Sequence, residues 1–219
     1  MKEIIFIGGF ENTGTRILVN YLLKKGYKTT KTNNEMDYQG LHFLKLFDIY
    51  WFNNNSAPLI AQLRKDIEGI EVDKIVIKHG HFNFLVDELK KEFPNSYFIN
   101  CIRNPYDILV KPSHNYARYA RKGNPTIRGK FNFLRLWYSN NILNGSDCIV
   151  RMEDLVFNTL ELLKSLDKSI GCASEERILN EFRRTIKPSR TIGKGKMLME
   201  KESDGLVGEI NDFCKIFCY

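Results

Sequence analysis

The sequence predicts an α/β fold: three layers, with a central parallel sheet flanked by helices and a phosphate-binding loop after the first strand. Three observations carry this. Apolar runs too short for helices recur at residues 3–8, 74–78, 96–102 and 148–152 and read as buried strands. Amphipathic helical patterns separate them, as crossovers between parallel strands require. The first run stops at Gly8-Gly9, and a helical pattern begins directly after Gly14.

Strand one contains Ile4-Ile5-Phe6-Ile7 and leads into Gly8-Gly9-Phe10-Glu11-Asn12-Thr13-Gly14-Thr15-Arg16. Residues 14–25 then place Ile17, Leu18, Tyr21 and Leu22 on one helical face, and Gly26 ends the helix. A glycine-bearing loop that enters a helix N-terminus makes an anion site, because its amides point inward and the helix dipole adds positive potential. The spacing Gly9-x4-Gly14 fits a phosphate loop. Thr15-Arg16, however, stands where nucleotide hydrolases carry Lys-Ser/Thr, the Lys for the β/γ-phosphates and the hydroxyl for magnesium. The expected ligand therefore bears phosphate without being an ordinary nucleoside triphosphate.

Residues 40–68 read as mostly helical, a long crossover of the kind that shapes an acceptor pocket. Within it, Phe43, Phe47, Tyr50, Trp51 and Phe52 form an aromatic cluster. The helical spacing of Phe43, Phe47 and Tyr50 reads either as core or as the lining of a sugar or phenol pocket. Residues 83–92 follow strand two as an amphipathic helix ended by Pro94. Further helices are expected at 131–143, at 158–170 before Gly171, at 175–185 and at 205–218.

A length of 219 residues suits one domain spanning 1–219, and no linker-like stretch divides it. No apolar run approaches the length of a membrane span, and the N-terminus reads as a strand rather than a signal peptide. Five scattered cysteines without a Cys-x2-Cys pair indicate neither a disulfide framework nor a zinc site. Cys101 and Cys148 lie in apolar runs and read as core, so the expected compartment is reducing, the cytoplasm. The net charge of +7 suits anionic partners, although most of the lysines read as solvated surface.

Open α/β sheets bind ligands beyond the carboxyl ends of their strands. Here those ends carry the glycine loop, Lys78-His79-Gly80-His81, Arg103-Asn104-Pro105 and Glu153-Asp154. Four strands thus deliver polar or glycine-rich segments to one edge, which is what a catalytic cleft requires.

These segments resemble the sulfotransferases that use 3′-phosphoadenosine-5′-phosphosulfate (PAPS). Gly14-Thr15 opening a helix is similar to the family's 5′-phosphosulfate loop. The run from Arg103 to Val110 (RNPYDILV) resembles its 3′-phosphate segment, Arg-Asn-Pro-x-Asp-x-x-Val-Ser. Residues 151–155 (RMEDL) resemble its Tyr-Glu-Asp-Leu, and residues 190–196 (RTIGKGK) resemble its basic C-terminal loop. The resemblance spans 4–196 in the right order and implies a P-loop-like sulfotransferase fold. It also implies PAPS as cofactor, 3′-phosphoadenosine-5′-phosphate (PAP) as product, and an acceptor that is a small molecule or a glycan.

On that resemblance the cofactor would be held by Asn12, Thr13, Gly14, Thr15 and Arg16 at the phosphosulfate. Arg103, with Ser113 or Lys111, would hold the 3′-phosphate, and Arg190, Gly193 and Lys194 would close over the nucleotide. Arg103 brings a permanently charged planar fork suited to phosphate. Asp107 reads as a residue that orients that Arg or ends a helix, and Pro105 as the first residue of a helix.

The family's Lys-Thr-His after this strand corresponds to Lys78, His79 and Gly80, with histidines on both sides of the matching position. Alternation along an extended segment puts His79 and His81 together on one side, and His81, nearer the next helix, is the favoured base. A neutral imidazole suits that role near neutral pH. Each His alone reads equally as a capping or core residue.

The chain departs from the family at Asn12, where a Lys or Arg is usual, and at Lys111, where the Ser falls. No metal is expected, since protein cations meet the leaving charge. Two other classes fit parts of the pattern. One is a P-loop kinase or ATPase. The other is a non-catalytic binder of nucleic acid or acidic glycans using His114–Lys122, although that segment reads first as a solvated amphipathic helix. Neither a nucleic-acid partner nor a membrane span is the expectation, and the sequence is silent on oligomeric state.

Overall fold

The structure, a computed structural model, describes residues 2–29, 46–47, 50, 53–110, 126–139, 145–186, 192–199 and 204–217. All four expected strands form: β1 (Glu3–Gly9), β2 (Lys74–Lys78), β3 (Ser96–Ile102) and β4 (Cys148–Arg151). They build one parallel sheet in the order β2-β1-β3-β4. Because the chain leaves β1 to one side for β2 and returns to its other side for β3, the order reverses at β1, where such sheets open a crevice.

Both faces of the sheet are covered, which is why its strands read as near-continuous apolar runs. Ile4 and Phe6 of β1 face a layer built from α2 (Ala57–Glu68), α3 (Val86–Glu92), α5 (Ile127–Ser139) and α10 (Asp204–Ile216). Leu63, Leu89, Leu134 and Ile210 are the buried anchors of that layer. Ile5 and Ile7 face the opposite layer of α1 (Thr15–Lys24), α6 (Met152–Phe157), α7 (Thr159–Ser169) and α8 (Glu176–Thr185). Leu18, Leu22, Leu155, Leu163 and Leu179 anchor it.

Several boundaries differ from the sequence reading. The helix expected at 83–92 is two pieces, a 3-10 turn at Gly80–Phe84 followed by α3. The His79 ring accepts the His81 amide and so tightens the chain before an α-helix can start. The helix expected at 131–143 starts earlier, at Ile127, because the Thr126 hydroxyl caps it by accepting the Gly129 amide at 3.1 Å. β4 stops at Arg151, and α6 begins at the next residue. Cys101 is buried as expected, but Cys148 is only half-buried, since β4 is an edge strand. Of the crossover read as helical at 40–68, Ala57–Glu68 is α2; residues 40–45, 48–49 and 51–52, with Phe43, Trp51 and Phe52 among them, lie outside the described residues. Among the described residues, no helix is long and apolar enough to cross a membrane.

Candidate functional site at the carboxyl edge of the sheet

The loop between β1 and α1 is the floor of the candidate site. Gly14 adopts φ 91 at the N-cap of α1, and a β-carbon there would come within 2.8 Å of the Met152 sulfur and 2.9 Å of Leu155. Only glycine fits this turn. Thr13 is fully buried, and its hydroxyl donates to the Phe10 carbonyl at 2.6 Å, which pins the loop from inside. Asn12 also has a left-handed backbone, φ 65, a conformation asparagine tolerates better than lysine or arginine. That gives the departure at this position a backbone reason. Thr15 is buried and Arg16 exposed. The first turn of α1 carries the positive pole of the helix, and its Ile17 amide already donates to the Gly14 carbonyl at 2.9 Å.

Lys78 and His79 leave β2 toward opposite sides. Lys78 pairs with Ile7, which belongs to the α1 face, so its side chain shares that face with the glycine loop. Lys78 is buried at 6% exposure, and its charge acts on Cys101. Burial dominates at that thiol and pushes it up, with the Lys78 ammonium pulling the other way. His79 points to the other layer. The extended segment ends at His79, so the alternation that grouped it with His81 does not continue. The two rings meet because of the tight turn, with centroids 4.8 Å apart and Nδ1 atoms 3.2 Å apart. His81 is buried against Phe47 at 4.2 Å and Trp137 at 5.3 Å between centroids. Phe47 of the aromatic cluster is therefore core and a wall of the histidine site at once. Gly80 brings this segment to the first loop, since a β-carbon on it would lie 3.1 Å from the Gly9 carbonyl.

Arg103 is placed by Tyr138, whose hydroxyl lies 3.0 Å from both the Arg103 amide and its carbonyl. Its guanidinium donates to the Asn12 carbonyl at 3.3 Å and to Asp107 at 3.4 Å. The side chain is 1% exposed and is among the largest fully buried ones. Arg103 is thus enclosed although it follows directly on the end of β3. Pro105 begins α4 (Pro105–Leu109) as expected, and Asn104 caps it by accepting the Tyr106 amide at 3.0 Å.

Asp107 does more than orient Arg103. It accepts the Gly193 amide at 2.8 Å and the Gly195 amide at 2.9 Å, which fastens the basic segment across the end of the sheet. Lys194 lies between them, exposed, at the start of α9 (Gly195–Leu198). Glu153 accepts the Asn104 amide at 3.0 Å, so α6 holds the Arg103 segment from the other side. The described contacts thus bring together Asn12, Thr13, Gly14, Thr15, Lys78, His79, His81, Arg103, Gly193 and Lys194. Arg16 is exposed on α1. Lys111, Ser113 and Arg190, with the segment His114–Lys122, lie outside the described residues.

Residues that the sequence reading did not single out as site members are Tyr138, Trp137, Asn83 and Asn100. Asn83 and Asn100 are fully buried beside Gly8, and neither side-chain amide has a partner among the described residues. The Trp137 indole N–H is likewise without an acceptor there. Among the described residues, no group of His, Cys, Asp or Glu is placed to hold a metal ion.

No family model and no curated protein matches the sequence. Solved structures do match by shape. A sulfotransferase from Mycobacterium avium aligns over 99% of this chain and 77% of its own, with 8% identity and a TM-score of 0.66. The sulfotransferase domain of the Synechococcus olefin synthase aligns over 100% and 95%, with 16% identity and a TM-score of 0.55. Retinol dehydratase, solved with androsterone and the inactive cofactor PAP, aligns over 97% and 79%, with 10% identity and a TM-score of 0.53. The chain has the sulfotransferase fold.

In this sulfotransferase fold the docking of the basic segment depends on Gly195. A β-carbon there would overlap the Tyr106 carbonyl and the Asp107 nitrogen. Gly195→Ala is expected to lift the segment off α4 at a cost of about 1–3 kcal/mol. Tryptic cleavage at Lys194 and Lys196 should accelerate, and unchanged melting with unchanged cleavage would show that the contact does not hold the segment.

Proposed function

We propose that the protein transfers a sulfuryl group from PAPS to the hydroxyl or amine of a small-molecule or glycan acceptor. The observation that carries this reading is the pairing of two anion-suited elements at one sheet edge. One is the β1–α1 loop; the other is Arg103 joined through Asp107 to the basic segment. A donor with a 5′-phosphosulfate and a 3′-phosphate needs both at once. The fold and the PAP-bound neighbour support the same reading.

The donor supplies the activated sulfuryl group, and the chain binds, orients and moves one proton. Amides of residues 12–16 and the α1 N-terminus would hold the phosphosulfate. Lys78, on that face, would meet the charge that develops on the leaving phosphate. Arg103, with Lys111 or Ser113, would hold the 3′-phosphate, and Gly193, Lys194 and Arg190 would cover the nucleotide. His81 or His79 would take the acceptor proton, with the acceptor oxygen in line with the leaving group. The donor set is amides and cations, which suits a nucleotide with two anionic ends held without a metal. We further place the protein in the cytoplasm, as one domain; the four described cysteines are free thiols, which suits a reducing compartment.

Calorimetry separates this reading from a kinase. PAP should bind in chelator-treated buffer, and ATP with magnesium should bind weakly or not at all. Magnesium-dependent ATP turnover without PAP binding would overturn the proposal.

A further inference from the structure

Resting on the reading of these histidines as the acceptor base, we propose that His79 and His81 form a dyad of fixed tautomers. In it His81 is the base through Nε2, and His79 is the residue that positions it. The assignment follows from two close contacts to one atom, whose single lone pair serves both. His79 Nδ1 accepts the backbone amide of His81 at 3.2 Å. A backbone amide is only a donor, so His79 Nδ1 carries a lone pair, and the neutral ring holds its proton on Nε2. The same Nδ1 lies 3.2 Å from Nδ1 of His81. Two lone pairs do not face each other at that distance, so His81 Nδ1 is protonated and donates to His79. A neutral His81 then has its basic lone pair on Nε2.

Packing holds the arrangement. His81 is 5% exposed, and its ring lies against Phe47, Phe84 and Trp137, with centroids 4.2, 6.4 and 5.3 Å away. His79 is the last extended residue, with φ −155 and ψ 137, and its ring lies beside that of Phe82, with centroids 5.8 Å apart. These apolar walls resist the ring flip that would exchange Nδ1 and Nε2.

The dyad gives a balanced proton transfer. The acceptor O–H bond breaks, its proton goes to His81 Nε2, and its electron pair forms the new O–S bond. The bond from sulfur to the leaving phosphate oxygen breaks at the same time. His81 becomes an imidazolium whose Nδ1–H points at the His79 lone pair, so the new charge meets an acceptor already in place. His81 later returns its proton to solvent.

Nitrogen-15 spectra of the imidazole rings test the tautomers without any turnover. At a pH where both rings are neutral, with assignments from His79→Asn and His81→Asn, His81 should show its protonated nitrogen at Nδ1 and His79 at Nε2. A proton on Nε2 of His81 would overturn the dyad. Kinetics supply the second arm. His79→Ala should lower kcat on the order of tenfold to a hundredfold, with acceptor KM and PAP affinity little changed. His79→Asn, whose side-chain oxygen stands near the Nδ1 position and accepts the same donors, should recover most of that loss. An Asn variant as slow as Ala would overturn the positioning role. If the unaltered protein transfers no sulfuryl group, the proposed function fails, and the spectra still decide the dyad.

Discussion

Arg103→Ala is expected to cost both nucleotide affinity and stability. Loss of a charge-assisted phosphate contact in a cleft should weaken PAP binding by about 2–4 kcal/mol. The stability cost arises because Arg103 is enclosed at 1% exposure and pairs with an equally buried Asp107. Removing one partner of a buried pair leaves an uncompensated charge, at a cost of about 3–5 kcal/mol. Here the Gly193 and Gly195 amides still satisfy Asp107, so the lower end applies. Calorimetry read beside a denaturant melt separates the two effects. A folded variant with unchanged PAP affinity would move the 3′-phosphate site elsewhere.

His81→Ala is expected to lower turnover by roughly a hundredfold or more, which is about 2.7 kcal/mol of transition-state stabilisation. PAP affinity should hardly change, because the ring packs against Phe47 and Trp137 whereas Gly14 lies beside Met152 and Leu155 of the opposite layer. The truncation also leaves a hole beside Phe47 and Trp137, so the rate must be referred to folded protein. If His81→Ala and His79→Ala both keep full sulfuryl transfer, neither is the base, and the catalytic part of the account is wrong.

The strands were legible because burial on both faces erases alternation and leaves short apolar runs, as in Ile4–Ile7 and Ile75–Ile77. The helix at Gly14 was legible for a local reason, a glycine at a position whose φ of 91 favours it. The role of Asp107 in orienting Arg103 was also local, four residues away. Its second role was not. The bond from the Gly193 amide spans 86 positions, and no periodicity in either segment encodes it. Tyr138 gripping Arg103 and Glu153 gripping Asn104 were hidden for the same reason. Strand alternation does not carry past His79, where the ring accepts the His81 amide and the backbone turns into a 3-10 helix; the two rings meet through that turn instead. Strand ends are set by such side chain–backbone competition, which hydrophobic pattern does not register.

The central claim is that one sheet edge reads two separate phosphate-bearing ends of a single nucleotide. It is tested most directly by titrating the unaltered protein with PAP and with AMP under the same conditions. PAP should bind tighter by on the order of a hundredfold, the worth of a charge-assisted contact to the 3′-phosphate. Equal affinity for the two would contradict the account, because the 3′-phosphate would then go unread.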